Sequence, residues 1–208
     1  AAVLIDIHPT HPEPRRIKAA VDALRAGEVI VCPTDTVHAF VCSAESARAV
    51  EELARLKGGK RGKAELSLIC ESLSHLSDYA RVTDTAAYRI VKRALPGPFT
   101  FILPASTAIP KLFKNNRRTI GIRVPDHAVP QALVKELGHA LAATSVHDPD
   151  TLLDHTSEAW RIEELFGHQL AMVLDAGPCG LEPSTVIDLS QGEPMVVREG
   201  KGDSSAVL

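Results

Sequence analysis

The chain has 208 residues, of which 45% are hydrophobic and 24% are charged, as is typical of one folded domain. We therefore predict a single domain over residues 1–208. The sequence contains no run of about 18 apolar residues, and its first residues lack a basic start followed by an apolar stretch. These observations argue against a membrane helix and a secretory signal, and they predict a cytoplasmic protein.

The charge is unevenly distributed along the chain. Residues 57–123 contain 13 Lys and Arg against 4 Asp and Glu, whereas the remainder contains 10 against 22. The two parts therefore carry +9 and −12, although the net charge is only −3. A basic segment suits phosphates or RNA, because a bound polyanion releases its counterions. Ordinary solvated helix faces explain the same pattern equally well.

Helical and strand patterns alternate along the sequence. The first helix begins at Pro14 and stops at Gly27, and a buried strand follows at 29–32. A second helix is capped by Ser43 or Ser46. Further helices are predicted at 73–80, 85–94, 127–137 and 158–166, and further strands at 66–70, 99–103, 119–124, 140–145, 170–174, 185–189 and 195–198.

Helices between apolar strands predict an α/β sheet. The strands at 99–103 and 185–189 are expected to pair antiparallel, and the strand at 195–198 follows the second of them closely. The sheet should therefore be mixed. No two cysteines form a Cys-x-x-Cys pair. We expect all of them to be reduced, with Cys32 and Cys70 buried in apolar runs.

Several loops next to predicted strands carry hydroxyl side chains, at 33–36, 144–145 and 183–185. In open α/β sheets such loops bind ligands. Short hydroxyl side chains leave backbone amides accessible, and together with arginine they suit a carboxylate or a phosphate. Taken singly, Thr34 or Ser184 is explained better by a turn or a helix cap.

Seven segments carry a resemblance to a known family: PTDTV (33–37), LKGGKRGK (56–63), PGPFTFIL (96–103), TIGIRVP (119–125), ATS (143–145), PSTVIDL (183–189) and VVREG (196–200). Their order and spacing resemble the YrdC/TsaC (threonylcarbamoyl-AMP synthase) family, and most closely its YciO-like branch. The resemblance spans nearly the whole chain. It implies a twisted, open, mixed α/β sheet flanked by helices, with a concave, positively charged face.

The resemblance also implies an activity. Synthases of this family combine L-threonine, bicarbonate and ATP into threonylcarbamoyl-AMP and release pyrophosphate, and the product is used to form threonylcarbamoyladenosine in tRNA. ATP is therefore expected as a substrate, together with Mg²⁺, and no side chain is assigned as a metal ligand. The implied partners are tRNA or double-stranded RNA and tRNA-modification proteins, with no membrane.

The resemblance assigns roles to individual residues. Thr34 and Thr36 resemble the turn that holds the amino acid, while Ser145 and Ser184 resemble hydroxyls near the phosphate and the threonyl group. The expected catalytic residues are Lys57 and Arg123. The expected nucleotide-binding residues are Lys57, Lys60, Arg61, Thr119, His147 and Arg198.

The sequence departs from the synthase pattern at several positions, which include Cys70, where a His is common, and His38, Ala39 and Phe40 after the first motif. Lys57 is followed by two glycines where synthases have Lys-x-Arg, although Lys60 and Arg61 supply charges nearby. Ser145 is followed by Val and His147 where synthases have Ser-x-Asn. The synthase-like nucleotidyltransferase is the leading hypothesis, and an RNA-binding protein without effective synthase activity is the alternative. Hydrolysis of a carbamoyl group or a nucleotide in a related pocket also stays open.

Overall fold

A computed structural model of the chain describes residues 2–57, 66–82, 84–107, 118–146 and 157–208. The strands in these ranges are β1 Val3–Asp6, β2 Ile30–Cys32, β3 Ala39–Ser43, β4 Ser67–Ile69, β5 Phe99–Pro104, β6 Thr119–Arg123, β7 Leu141–Ser145, β8 Met172–Asp175, β9 Thr185–Asp188 and β10 Met195–Arg198. The helices are α1 Pro14–Arg25, α2 Ala47–Leu56, α3 Leu73–Leu76, α4 Thr85–Ala94, α5 Ala128–Leu137, α6 Ala159–Phe166 and α7 Ser204–Val207. A single 3₁₀ turn, Gly167–Gln169, follows α6 in the described residues.

The described strands form one sheet in the order β1-β8-β2-β3-β7-β4-β6-β5-β9-β10. β8 pairs parallel with β1 and β2, and β4 pairs parallel with β6. β3 pairs antiparallel with β2 and β7, and β7 pairs antiparallel with β4. The prediction of a mixed sheet is therefore confirmed.

The pairing of the strand at 99–103 was predicted wrongly. β5 pairs parallel with β9 and antiparallel with β6, while β9 and β10 pair antiparallel. A short connection forces two strands to run antiparallel, but a long connection leaves either direction open. Only the β9–β10 connection is short, which is why the direction of β5 relative to β9 could not be predicted in this way.

The ends of the first two helices follow from local chemistry. α1 has proline in its first turn, and Gly27 leaves the helix with a φ of 81°, a left-handed conformation that favours glycine. α2 is capped by Ser46, whose hydroxyl accepts a hydrogen bond from the Ala49 amide at 3.3 Å. Ser43 is the last residue of β3 and does not cap the helix.

The helix predicted at 73–80 is much shorter than expected. α3 ends at Leu76, after which the chain turns and Ala80 forms an antiparallel bridge with Ala105. A β-bridge needs extended backbone, so the helix cannot continue to Ala80. β3 was missed altogether, because all five of its residues are buried and the strand shows no alternation of polar and apolar side chains.

The two faces of the sheet are covered to different extents. One cluster of buried side chains includes residues of α2, α4 and α6 and of strands from β2 to β9. The second cluster packs α1 and α5 against β2, β3, β4, β7 and β8, and it includes no residue of β5, β6, β9 or β10. Cys32, Cys42 and Cys70 are buried and reduced. No helix within the described ranges has the length and apolar character that a membrane span requires.

Candidate functional site

One face of β5, β6 and β9 is open. β5 alternates between buried residues and half-buried ones, namely Phe99, Phe101 and Leu103 against Thr100, Ile102 and Pro104. A methyl group added at Gly121 of β6 would lie 3.6 Å from both Ser67 Cβ and Thr100 Cγ2, so these three residues share the half-buried face. We call this surface the open face. Where Ser67, Thr100 and Gly121 lie side by side, the small residues leave room for a ligand beside the backbone.

Arg123, the last residue of β6, forms a buried ion pair. Its Nη2 atom lies 3.1 Å from Asp35 Oδ1, and the two side chains are only 7% and 10% exposed. The same Nη2 atom donates a hydrogen bond to Thr36 Oγ1 at 3.0 Å. Burial lowers the pKa of the Arg123 guanidinium from its usual value, and the charge of Asp35 opposes that shift. The turn after β2 is therefore tied to the end of β6.

The hydroxyl groups of that turn form a directed chain of hydrogen bonds. Thr34 Oγ1 donates to the Val37 carbonyl at 2.6 Å, and the Thr34 and Thr36 Oγ1 atoms are 3.1 Å apart. Because the single Thr34 proton goes to Val37, the Thr36 hydroxyl is the donor in the contact between the threonines. The chain therefore runs from Arg123 through Thr36 and Thr34 to Val37. Both threonines are buried, at 4% and 1% exposure.

Asp35 also faces the beginning of α5. Its Oδ2 atom accepts a hydrogen bond from the Asp126 amide at 3.0 Å, two residues before the helix. The helix is capped by His127, whose Nδ1 accepts from the Val129 amide at 3.1 Å. Burial lowers the pKa of His127, while the negative charges of Asp35 and Asp126 oppose the shift. The positive end of the helix dipole stabilises the Asp35 carboxylate.

Ser184 and Arg198 form a second polar group. Arg198 donates from Nε and Nη2 to the Ser184 carbonyl, at 3.1 and 2.8 Å, and from Nη2 to Ser184 Oγ at 3.3 Å. Ser184 Oγ lies 2.7 Å from Thr100 Oγ1, which belongs to the open face. Burial is the main cause that lowers the pKa of Arg123, and the positive charge of Arg198 lowers it further. Asp35 and Cys32 oppose the shift.

A bulge in the β9–β10 ladder directs Arg198 toward this group. Val196 lies opposite Ile187, but the next pair is Arg198 opposite Val186, so one extra residue is inserted in β10. In regular pairing Val197 would lie opposite Val186. The bulge thus places Arg198 on the side of the sheet that carries Ser184.

Lys57 and Ser145 form a third group. Lys57 Nζ donates to the Ser145 carbonyl at 3.1 Å and to Ser145 Oγ at 3.2 Å. Ser145 pairs with Ala39 of β3, and the Val146 amide donates to the His38 carbonyl at 2.9 Å. This group therefore lies beside the strand that continues from the threonine turn.

The sequence matches a known protein family over most of its length. The family profile Sua5_yciO_yrdC, described as "Telomere recombination", matches residues 22–200. The chain belongs to the Sua5/YciO/YrdC family. Among its relatives, the uncharacterized protein YciO of Escherichia coli K12 is 39% identical over 203 residues, which are 97% of each chain. The threonylcarbamoyl-AMP synthase of Mus musculus is 35% identical over 88% of this chain and 66% of the mouse protein.

Solved structures place the fold in the same family. The crystal structure of E. coli YciO superposes with a TM-score of 0.92 and 37% identity, covering 100% of both chains. The crystal structure of P. abyssi Sua5 complexed with L-threonine superposes with a TM-score of 0.85 and 26% identity over 96% of this chain and 58% of Sua5. The family resemblance and the twisted open sheet flanked by helices are confirmed. The concave, positively charged face stays a prediction.

The Sua5/YciO/YrdC fold brings together several of the residues named from the sequence. Thr36 contacts Arg123, Ser184 contacts Arg198, and Lys57 contacts Ser145. Thr119 begins β6 opposite Pro104 and, by strand alternation, faces the same side as Arg123. Lys60, Arg61 and His147 lie outside the described residues. The assignment of these residues to substrates remains a prediction.

Sequence reasoning missed three polar residues of this family site: Asp35, Thr100 and Lys201. The position of Asp35 between two hydroxyl residues in PTDTV was a usable signal, because a carboxylate there can pair with a buried arginine. Lys201 Nζ donates to the Asp35 carbonyl, and the Lys201 amide donates to the Pro183 carbonyl at 2.9 Å. No local signal marks Lys201, because its partner is 166 positions away.

Proposed function

We propose that this chain binds ATP and L-threonine at the open face and combines them with bicarbonate to form threonylcarbamoyl-AMP and pyrophosphate. The observation that carries the proposal is the buried Arg123, which is held by Asp35 and Thr36 at the end of β6. Its Nε atom is buried and makes no hydrogen bond within the described residues. A buried donor without an acceptor is costly, and the proposal assigns an anionic substrate as the acceptor.

The relatives support the same assignment. The mouse relative is named threonylcarbamoyl-AMP synthase, and the P. abyssi Sua5 structure is a complex with L-threonine. The polar groups around Arg123, Arg198 and Lys57 offer positive charge and hydroxyl donors of the type that an amino-acid carboxylate and a triphosphate require. Transfer of the activity to this chain is our proposal.

The proposed reaction needs two bond-forming steps. The neutral threonine amine forms an N–C bond with carbon dioxide and releases a proton to solvent, or it forms that bond with the carbon of bicarbonate while a C–O bond breaks and water leaves; either route gives a carbamate. A carbamate oxygen then attacks the α-phosphorus of ATP, the bond between the α-phosphorus and the bridging oxygen breaks, and pyrophosphate leaves. Negative charge accumulates on the phosphoryl oxygens, and Lys57 and Arg123 stabilise it. Catalysis is mainly a matter of positioning, so no dedicated general base is assigned.

Mg²⁺ remains an expected companion of ATP. Within the described ranges, no group of three or more His, Cys, Asp and Glu side chains is arranged to hold a metal ion. Asp35 is already engaged by Arg123 and Asp126. The described residues therefore do not fit a protein-bound metal site, and we derive no step through Mg²⁺. Phosphate oxygens and water are ligands that Mg²⁺ accepts readily.

The proposal is tested by incubating purified protein with ATP, L-threonine and bicarbonate and measuring pyrophosphate together with the carbamoylated adenylate. We expect product from the wild type and a loss of at least about tenfold in Lys57→Ala, because a charge that contacts the reacting phosphates is removed. Lys92→Ala, which removes an exposed lysine of α4, is the matched control and should retain activity. No turnover above that of Lys57→Ala would remove the enzyme assignment. ADP or AMP without carbamoylated product would indicate hydrolysis instead.

RNA binding is the second candidate function. The basic balance of residues 57–123 favours it, and the partners in that case would be tRNA or double-stranded RNA, with tRNA-modification proteins as further partners. Aromatic residues make up only 4% of the chain, so contact would be made mainly through phosphates. RNA affinity that falls steeply with salt, combined with no protection from thermal unfolding by ATP, would favour this function over the synthase.

A further inference from the structure

We infer that Asp35 is a positioning residue of the site, acting on the bound substrate through the Arg123 guanidinium. The inference rests on the proposed function, because it requires Arg123 to contact a substrate. Asp35 was not among the residues named from the sequence, and its role follows from its contacts. These contacts join the turn after β2 to the segment that holds Arg123 and Asp126 and to Lys201, three parts of the chain that are distant in sequence.

Asp35 contacts three hydrogen-bond donors from other parts of the fold. Its carboxylate accepts from Arg123 Nη2 at 3.1 Å and from the Asp126 amide at 3.0 Å, and its carbonyl accepts from Lys201 Nζ. These partners belong to the end of β6, the segment before α5 and the segment after β10. Asp35 thus fixes the turn after β2 against all three, and Arg123 is the only partner among the described residues that is both charged and buried.

Arg123 contacts the turn through one nitrogen atom of its guanidinium group. Nη2 carries two protons, and both are used, by Asp35 Oδ1 and by Thr36 Oγ1. Nε and Nη1 take no part in these two contacts, and Nε is buried without a hydrogen-bond partner among the described residues. The inference requires a substrate to reach one of these two nitrogen atoms.

Asp35 and Thr36 hold Arg123 in different ways. The Thr36 hydroxyl already donates to Thr34, which donates to Val37, so Thr36 meets Arg123 as an acceptor fixed by the turn itself. The negative charge of Asp35 offsets the cost of burying the Arg123 guanidinium. Its carboxylate accepts a hydrogen bond from Nη2 in a different direction from the one that Thr36 accepts. Removing the carboxylate would leave the guanidinium attached to the turn by one neutral contact. The position of Nε and Nη1 would then be poorly defined.

The test is a double-variant cycle. Asp35→Asn, Asp35→Ala, Arg123→Ala and the combination of Asp35→Ala with Arg123→Ala are compared in the synthase assay, with KM measured separately for threonine and ATP. We expect Asp35→Ala to raise the KM of one anionic substrate by about tenfold or more, with a smaller rise in Asp35→Asn, which keeps an acceptor. The combined variant should lose little beyond Arg123→Ala alone, because Asp35 acts through Arg123.

Asp84→Ala is the matched control for the loss of a carboxylate. Asp84 caps α4 by accepting from the Ala87 amide at 2.7 Å, so its removal lowers stability without touching the site. Both KM values should be unchanged in this variant. Losses that add up in the combined Asp35 and Arg123 variant, or an unchanged KM in Asp35→Ala, would overturn the positioning role.

A second measurement keeps the inference separate from the proposed function. If the wild type forms no product, the synthase assignment fails, and the contact is examined by ¹⁵N NMR of the Arg123 Nε–H group. Because this group is buried, we expect a slowly exchanging signal in the wild type and in Asp84→Ala. In Asp35→Ala the signal should exchange faster or broaden beyond detection. The same signal in Asp35→Ala as in the wild type would contradict the inference, whatever reaction the protein catalyses.

Discussion

Arg198 lies opposite Val186 across the β9–β10 ladder, in the place that regular pairing would give to Val197. This one-residue shift turns the guanidinium toward Ser184 and, through Ser184, toward Thr100 on the open face. A β-bulge is a common device for redirecting a side chain at the edge of a sheet. The contribution of β10 to the site therefore depends on an irregularity in its pairing.

Arg198→Ala should weaken nucleotide binding. The substitution removes a charge and two donors that contact the Ser184 carbonyl, so we expect KM for ATP to rise by about tenfold or more, with a smaller change in Arg198→Lys. Steady-state kinetics of pyrophosphate release provide the measurement. Arg89→Ala, on an exposed position of α4, is the control for loss of one positive charge. An equal effect in the control would show that only net charge matters.

Gly121→Ala should separate ligand binding from stability. The new methyl group would have ordinary contacts at 3.6 Å with Ser67 and Thr100, so the strand accommodates it and the melting temperature should stay close to that of the wild type. On the open face the same methyl group occupies space that a ligand would use. We expect a smaller thermal shift on addition of ATP and threonine. An undiminished shift would mean that the ligand lies elsewhere.

Arg123→Ala should lower the free energy of unfolding by about 3 kcal/mol, because it leaves a buried carboxylate without its charged partner. Chemical denaturation of both proteins measures the difference. Arg55→Ala provides the comparison, since Arg55 pairs with Glu52 at 2.6 Å on the surface, where the two side chains are 65% and 44% exposed. That variant should unfold almost like the wild type. Equal losses in the two variants would contradict the role of burial.

His139 should make stability depend on pH. Its Nε2 lies 2.6 Å from Ser43 Oγ and its Nδ1 lies 3.5 Å from Glu45. Burial lowers the pKa of His139 below its usual 6.5, although Glu45 opposes the shift. The unfolded chain therefore binds the proton more readily, and stability should fall as the pH drops below about 6.5.

The pH effect is measured from the free energy of unfolding between about pH 7.5 and pH 5, the range in which histidine titrates. His139→Gln should show a smaller loss than the wild type as the pH falls, whereas His11→Gln, at an exposed position, should behave like the wild type. A wild-type slope in His139→Gln would assign the effect to other groups, among them His127, whose pKa is also lowered by burial.

Local sequence chemistry predicted the helices better than it predicted the sheet. Pro14, Gly27 and Ser46 act on their own helices, so α1 and α2 could be predicted from neighbouring residues. The parallel pairing of β5 with β9 and the bulge before Arg198 depend on contacts between distant segments, which local patterns do not contain.

The candidate site shows the same division. Thr36, Arg123, Ser184 and Arg198 were named because their motifs resemble those of the family. Asp35 and Lys201 were missed because their importance lies in mutual contacts across the fold. The carboxylate in the PTDTV turn was a usable signal for Asp35, but its pairing with Arg123, 88 positions away, and the Lys201 contact with its carbonyl follow only from coordinates.

The contact between Lys201 and Asp35 has a consequence for biosynthesis. The two residues are 166 positions apart, and Thr36 and Arg123 are 87 positions apart. Contacts between residues so distant in sequence form late and slowly, because a long loop must close first. A nascent chain that has not yet emerged from the ribosome beyond residue 201 therefore cannot complete this arrangement, and under the proposed function the substrates would bind only after that point.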